Sequence, residues 1–495
     1  HIPHRVSLDM DQRKKTASVL RCKTNSLQLT PMNNFRQSIE WDDGLIRNYD
    51  LAGPRYTSYP TAPQFREDFS WVELLRAIAR SNSRQRPLSL YFHIPFCDTL
   101  CYYCGCHKIV TSNKGRAAPY LQRLIAELKL QAANFDRSRP VKQLHWGGGT
   151  PTFISETEMT ELMQATRNEF RLLDDDTGDY AIEVHPGQLE VGTISHLRRL
   201  GFNRISMGVQ DFDERVQKAV NRFNSLAQVR DLVKAVRQQH FHSLSMDLIY
   251  GLPLQTPASV AQTLSYIVDL SPERISLFNY AHLPERFRSQ RLINAADLPS
   301  AATKLEILHS AIEQLQAAGY VYLGMDHFVK PGDSLAKAQA SGNLQRNFQG
   351  YSTHGDCDLI ALGVSAISAI DDVYVQNAKD LKTYQHKLDL GQLPFERGLT
   401  LTAEDKLRQF VIGQLICHLR LEYADVEKVF NLNPREHFAS ELRQLAPMIE
   451  DGLLSLHDWG IEVHNRGRLL IRRLCMVFDE YLQQGNPQIR YSKII

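Results

Sequence analysis

Three cysteines stand close together in Cys97-Asp-Thr-Leu-Cys101-Tyr-Tyr-Cys104, directly after the apolar run Tyr91-Phe-His-Ile-Pro-Phe. Thiolates are the usual ligands of iron-sulfur clusters, and a cubane cluster has four irons to hold. Three ligands leave one iron open to a chelating small molecule, whereas an electron-carrying ferredoxin would close that position with a further protein ligand. Cys106 follows Cys104 too closely to cap a cubane and reads as a neighbour of the site. The alternative is a structural zinc site drawn from Cys97, Cys101, Cys104, Cys106 and His107. Structural zinc usually takes ligand pairs from separate segments, and these candidates share one loop.

The elements that must position this loop follow an alternating pattern. Strand-like runs at Leu88–Ile94, Gln143–Trp146, Tyr180–Val184, Arg204–Val209, Leu244–Ile249 and Ile275–Tyr280 are separated by amphipathic stretches of helical length. The helical stretches include Tyr120–Ala133, Glu156–Phe170, Val191–Leu200, Leu226–Gln239 and Pro257–Leu270. Such alternation predicts parallel βα units, here a partial (β/α)6 barrel over residues 87–385 with its extension. A barrel of this kind carries chemistry at the C-terminal ends of its strands. Those ends hold the cysteine loop, Gly147 to Thr150, Glu183, Gln210 and Asp247. Gly363 to Ile370 reads as a last strand.

Residues 1–31 read as a disordered extension and residues 32–86 as an N-terminal segment covering the barrel. A smaller, mostly helical, winged-helix-like domain is expected over 386–495. Thr402 and Asp405 form a capping-box pattern there, a hairpin spans Leu453 to Val463, and a final helix is predicted over Leu469–Leu482.

The chain has 495 residues, 57 basic against 55 acidic, and a formal charge of +2. That balance argues against a nucleic-acid footprint, and no long apolar run suits a bilayer. Eight cysteines, four of them clustered, suggest a metal site in a reducing cytoplasm rather than a disulfide scaffold.

The loop His93-Ile-Pro-Phe-Cys97-x3-Cys101-x-Tyr103-Cys104 resembles that of the radical S-adenosylmethionine (SAM) superfamily. With Gly53-Pro-Arg-Tyr-Thr-Ser-Tyr-Pro-Thr61 it is similar to the oxygen-independent coproporphyrinogen III oxidase family in particular. The likeness continues through Leu144-His-Trp-Gly-Gly-Gly-Thr-Pro-Thr152, Gly201 to Asp211, Met246 to Pro253, Phe278 to Pro284, Gly324 to Phe328, Gly350 to Gly355 and Arg397-Gly-Leu.

This resemblance implies a [4Fe-4S] cluster on Cys97, Cys101 and Cys104 and two SAM molecules. The first SAM would meet Tyr91, Gly148, Glu183 and Ile367. The second would meet Tyr103, Gly149, Thr150, Gln210, Arg222, Asp247 and Ala281. The implied reaction is oxidative decarboxylation of two propionates of coproporphyrinogen III to vinyl groups, giving protoporphyrinogen IX, with the cluster and SAM generating a 5'-deoxyadenosyl radical. The implied partners are the tetracarboxylate substrate and a flavodoxin-type electron donor, with the chain a cytoplasmic monomer. Arg55 is a candidate for the substrate carboxylates. After Glu183 the sequence reads Val-His185-Pro-Gly187-Gln188, departing from the aspartate and arginine of the family pattern. A paralogue acting on, or binding, another porphyrin or haem is the alternative.

Overall fold

A computed structural model of the chain describes residues 38–484, together with 491 and 493. The 1–31 extension lies outside the described residues. Six parallel strands follow the predicted places: β1 (Leu88–Ile94), β2 (Pro140–Gly148), β3 (Asp179–Val184), β4 (Arg204–Gln210), β5 (Ser243–Tyr250) and β6 (Arg274–Asn279). Their order in the sheet is sequential, each pairing in parallel with the next. Helices Ala117–Ala132, Glu156–Glu169, Val191–Leu200, Leu226–Gln238 and Pro257–Leu270 return the chain between them. Several begin on a capping box, as at Ser155 with Glu158 and Ser225 with Gln228, where each side chain takes the other residue's backbone N–H.

Strand burial alternates in β3, β4 and β5. One face buries Ile182, Ile205, Met207, Leu244 and Met246 under the helices, in the main apolar core. The opposite face carries Glu183, Ser206 and Asp247 toward the barrel interior. The parallel strands thus present apolar residues outward and polar ones inward, and the inward ones are free to do chemistry.

Beyond β6 the sheet turns antiparallel through β7 (Val321–Gly324) and β8 (His327–Val329). On the other side of β1 it continues through β9 (Asp358–Leu362), β10 (Ile367–Ile370), β11 (Val373–Asn377) and β12 (Phe395–Thr400). Here the structure corrects the expected single strand over Gly363–Ile370. Asp358–Leu362 is itself a strand, parallel to β1, and Gly363 (φ +106°) and Ser365 (φ +65°) turn the chain back before β10. An L-residue in the left-handed region cannot continue a strand. The partial six-unit barrel therefore gains a further parallel strand and an antiparallel flank. This sheet runs on to Thr400, past the 385/386 boundary expected from the sequence.

After Thr400 a second apolar core forms around Leu407, Val411, Leu415, Phe438 and Leu474. Thr402 and Asp405 make the expected reciprocal cap. The hairpin appears as Leu454–His457 and Gly460–Val463, with Arg420–Glu422 as a third strand. The final helix is broken into Ile471–Met476 and Glu480–Gln484. Asp479 explains the break: its Oδ1 accepts the N–H groups of Tyr481 and Leu482, which starts a new helix. Its other oxygen accepts the Tyr56 hydroxyl at 2.9 Å. Arg472 donates to the carbonyls of Gly53 and Pro54. The Gly53–Thr61 segment is thereby clamped between the sheet and the C-terminal core.

Candidate active site

The cysteine loop leaves β1 and is fixed by its own backbone. Phe96–Cys97 pairs in parallel with Ile109–Val110, Ile109 N–H donates to the Pro95 carbonyl (2.7 Å), and Thr111 N–H donates to the Cys97 carbonyl (2.9 Å). Tyr102 N–H and the Asn221 amide tie its middle to the 220–221 turn. Held at both ends and the centre, the loop keeps Cys101 and Cys104 near enough to Cys97 for their charges to act on its thiol. Arg222 Nη1 lies 3.7 Å from Cys101 Sγ, and Thr150 Oγ1 lies 3.6 Å from Cys97 Sγ. A hydrogen bond from Cys106 and the nearby Lys108 ammonium bring the Cys104 thiol down to about 6, so it is readily a thiolate. Lys108 Nζ also donates to the Cys104 carbonyl at 2.9 Å.

His93 sits directly behind this loop. Its Nε2 reaches the His107 carbonyl (3.0 Å), so that nitrogen carries the hydrogen, and Nδ1 accepts the Tyr91 hydroxyl (3.1 Å). Burial pushes its pKa down to about 4, which keeps the ring neutral. The glycine turn packs close against both. A Cβ on Gly148 (φ +113°) would stand 2.6 Å from the His93 ring, and one on Gly149 would stand 2.6 Å from Pro95 backbone atoms. These glycines are required first by the joint between β2 and the cysteine loop. That same closeness exposes their backbone to whatever occupies the mouth.

Glu183 ends β3 beside them, accepting from His145 Nε2 (2.9 Å) and from Gly148 N–H (3.3 Å). Burial works to raise its carboxyl, but the bonds from His145 and Gly148 outweigh it and the pKa falls below the ordinary value. The 44% of its side chain left uncovered faces an interior cavity rather than bulk solvent. That cavity has a volume of about 240 Å³ and is lined by His145, Glu183, Ser206, Asp247, Ser276 and Phe278, among others. Asp247 accepts from Ser206 Oγ at 2.9 Å, and burial lifts its carboxyl to about 6.

The bulge at the end of β4 holds Gln210 at φ +69°, a rare conformation for a non-glycine residue. Arg222 donates to the Gly208 carbonyl beneath it. Gln210 Oε1 and Arg222 Nε are buried with no partner. Unpaired groups of this kind are costly unless a ligand satisfies them.

The structure therefore gathers Tyr91, Gly148, Gly149, Thr150 and Glu183 around one side of the mouth. Gln210, Arg222 and Asp247 meet on the adjacent β4–β5 edge. Tyr103 lies on the cysteine loop, its carbonyl held by Gln290 Nε2 at 3.0 Å. Ala281 follows β6, between Tyr280 and His282, whose side chains bond at 2.8 Å. Ile367 stands somewhat apart, in an apolar cluster with Phe65 and Tyr374 on the antiparallel flank. Arg55 is paired with Asp326 at 2.7 Å through one guanidinium nitrogen, with its side chain 35% exposed.

Sequence reasoning missed His145, Ser206 and Glu127. The first two lie at alternate, inward positions of β2 and β4, so strand periodicity could have found them. Glu127 is fully buried on a helix, accepting from Tyr384 Oη (2.6 Å), Asn377 Nδ2 (2.7 Å) and Gly363 N–H (2.8 Å). It anchors the turn that leads into Ile367.

Three thiols on one loop, a close-packed glycine joint and two unsatisfied buried polar groups fit an open-iron cluster with a chelating cofactor, the arrangement of a radical SAM enzyme. The Radical SAM superfamily model matches residues 91–267, and the HemN C-terminal domain model matches residues 401–470. Oxygen-independent coproporphyrinogen III oxidase of Pseudomonas aeruginosa is 53% identical over 458 residues, covering 92% of this chain and 99% of the relative. The Escherichia coli K12 enzyme of the same name is 49% identical over 459 residues, covering 93% and 99%. The solved E. coli coproporphyrinogen III oxidase (HemN), described as a radical SAM enzyme, superposes with a TM-score of 0.86 at 48% identity, covering 90% of this chain and all of that one. The chain belongs to the oxygen-independent coproporphyrinogen III oxidase family.

Proposed function

We propose that this chain converts two propionate side chains of coproporphyrinogen III to vinyl groups, giving protoporphyrinogen IX. The observation that carries the reading is 53% identity over nearly the whole chain to an enzyme of that name, joined to a mouth where the partly unsatisfied Arg222 guanidinium lies beside the Cys101 thiol. Each propionate loses a hydrogen atom from its β-carbon, then carbon dioxide and one further electron. The cluster and SAM, when bound, supply the one-electron chemistry and the hydrogen-atom abstraction.

The chain's own residues hold and orient. Cys97, Cys101 and Cys104 take the cluster. Tyr91, Gly148, Glu183 and Ile367 take the first SAM, and Tyr103, Gly149, Thr150, Gln210, Arg222, Asp247 and Ala281 take the second. Glu183, kept ionised by His145, suits a ribose diol or an ammonium group. The Arg222 guanidinium, with one nitrogen free and one facing Cys101, suits a carboxylate close to the cluster. Neutral His93 braces the loop without adding charge beside the thiolates.

The electron enters from a flavodoxin-type donor, and the chain works as a cytoplasmic monomer. No described helix is long and apolar enough to cross a membrane. The test is anaerobic reconstitution with iron and sulfide, followed by assay with coproporphyrinogen III, SAM and a reductant. Protoporphyrinogen IX is expected; a cluster-loaded protein that forms none refutes the reading. Tight haem binding without turnover would favour a haem-binding paralogue.

A further inference from the structure

With Arg55 already held by Asp326, the four carboxylates of the substrate need other receptors. Two segments close on the cysteine loop from the outside, a third strand pairs beside the second of them, and each brings a cation. The loop after β6 presses Phe287 against Gly105, where an added Cβ would stand 3.1 Å from the ring. Arg286 precedes it, its guanidinium 5.4 Å from the Phe287 ring centre. The chain after β11 meets His107, whose Nε2 donates to the Lys379 carbonyl at 2.7 Å. On β12, Arg397 lies opposite Gln376 and donates to its Oε1 at 2.7 Å, with the guanidinium 5.7 Å from the Phe65 ring.

None of the three makes an ion pair with a carboxylate among the described residues. Arg397 has only a neutral amide and an aromatic face, and Arg286 only an aromatic face. The acidic groups in their field are Glu396 and Glu67. Glu396 accepts the Lys379 backbone N–H at 3.3 Å but makes no ion pair with the ammonium. Partial burial and the charges of Arg397 and Arg286 hold the Lys379 ammonium below its usual range, outweighing the opposing pull of Glu396. Like charges gathered this way raise the energy of the empty protein and are relieved by an anion.

The arrangement is also tied to the reacting region. Gln376, which orients Arg397, lies in register with Ile367, and His107, which holds Lys379, supports His93 through its carbonyl. A planar arginine fork matches a carboxylate with two parallel hydrogen bonds.

We infer that Arg286, Lys379 and Arg397 form the carboxylate-binding rim of the substrate site, and that they grip propionates other than the one reacting. A cation paired to the reacting carboxylate would oppose its departure as carbon dioxide. Cations around the periphery hold the macrocycle in place and leave the reacting arm free. The inference rests on the proposed decarboxylation and supplies its missing receptor.

The test measures binding separately from turnover. Cluster-loaded wild type and the variants Arg286→Met, Lys379→Met and Arg397→Met are titrated anaerobically with coproporphyrin III, the fluorescent oxidised tetracarboxylate, and with its tetramethyl ester. Arg215→Gln, an exposed arginine paired with Asp213, serves as the control. Each rim variant should bind the acid about tenfold more weakly, and the triple variant should bind acid and ester alike. In turnover, KM for coproporphyrinogen III should rise more than kcat falls. Rim variants that bind coproporphyrin III within twofold of wild type overturn the rim, as does a wild type that binds the ester as tightly as the acid. A wild type that binds the acid through the rim but forms no protoporphyrinogen IX overturns the decarboxylation instead.

Discussion

Gly187 stands where the family resemblance leads one to expect an arginine, and the structure predicts the consequence of giving it a side chain. A Cβ there would lie 2.0 Å from the Phe223 carbonyl oxygen, whereas real Cβ atoms essentially never approach within 3.0 Å. The glycine is not in the left-handed region, so the obstacle is steric, and relief requires a shift of about 1 Å in one backbone segment. The Phe223 side of this contact carries Arg222, which bonds the Gly208 carbonyl and faces Cys101. Gly187→Ala should therefore cost about 1–3 kcal/mol of stability. It should also weaken SAM binding by about tenfold or more, since a charge-assisted hydrogen bond contributes about 1.5–3 kcal/mol. Gly187→Arg should be worse. Urea unfolding of the ligand-free protein and anaerobic SAM titration of the reconstituted protein read the two effects. Gly192→Ala is the control, because its added Cβ meets nothing within 4 Å and the site is helical. If Gly187→Ala leaves both the urea midpoint and the SAM affinity within error of wild type, the contact with Phe223 imposes no constraint and the reasoning fails.

Cys104→Ser should lower bound iron after reconstitution, whereas Cys106→Ser should retain about four irons per chain; equal iron loss in both would make Cys106 a ligand. Glu127→Ala strands three buried donors on Tyr384, Asn377 and Gly363, at about 1–3 kcal/mol each. Its urea midpoint should drop well below that of Glu127→Gln, which keeps an acceptor in place, and equal midpoints would refute the anchoring role. Folding raises the Asp247 carboxyl to about 6, so the folded protein holds that proton more tightly than the unfolded chain. The ligand-free protein should accordingly lose stability as pH climbs from about 4 through 6, by at most ~3 kcal/mol at 1.36 kcal/mol per unit. Asp247→Asn should remove that slope in urea titrations across the same range. With SAM present the trend reverses, because the ionised carboxylate is the binding form, and affinity for the second SAM should fall as pH drops from 7 to 5.

Residues whose role follows from chain-local rules were legible in the sequence. The cysteine spacing, the positions of Glu183 and Gln210 at or next to their strand ends, and the Thr402 cap each depend on a few neighbouring residues and fall where expected, whereas Asp247 lies inside β5, three residues before its end at Tyr250. The strand at Asp358–Leu362 was missed because its apolar run is short and its limits are set by Gly363 and Ser365, whose left-handed backbone leaves little trace in composition. The break at Asp479 was missed for a related reason: a mid-helix aspartate becomes a cap only once Tyr56, more than 400 residues away in sequence, claims its other oxygen.

Charge at the rim shows where local reading stops. Arg55 sits in a segment rich in matched residues and reads as a substrate receptor, yet Asp326, in the turn between β7 and β8 and 271 residues away in sequence, pairs with it. Arg397 drew notice only as part of a short matched tripeptide, and what distinguishes it is a lack of carboxylate partners that no sequence displays. An arginine's availability is a property of its surroundings, because the same guanidinium is a structural tie beside an acid and a ligand site beside a neutral amide. The same logic separates the two halves of the mouth. Glu183 and Asp247 sit in one cavity within a continuous run of parallel strands, yet His145 lowers the first carboxyl and burial raises the second to about 6. Near neutral pH, then, the first SAM would meet a firmly ionised carboxylate, whereas the second would meet one whose charge depends on the ligand arriving to stabilise it.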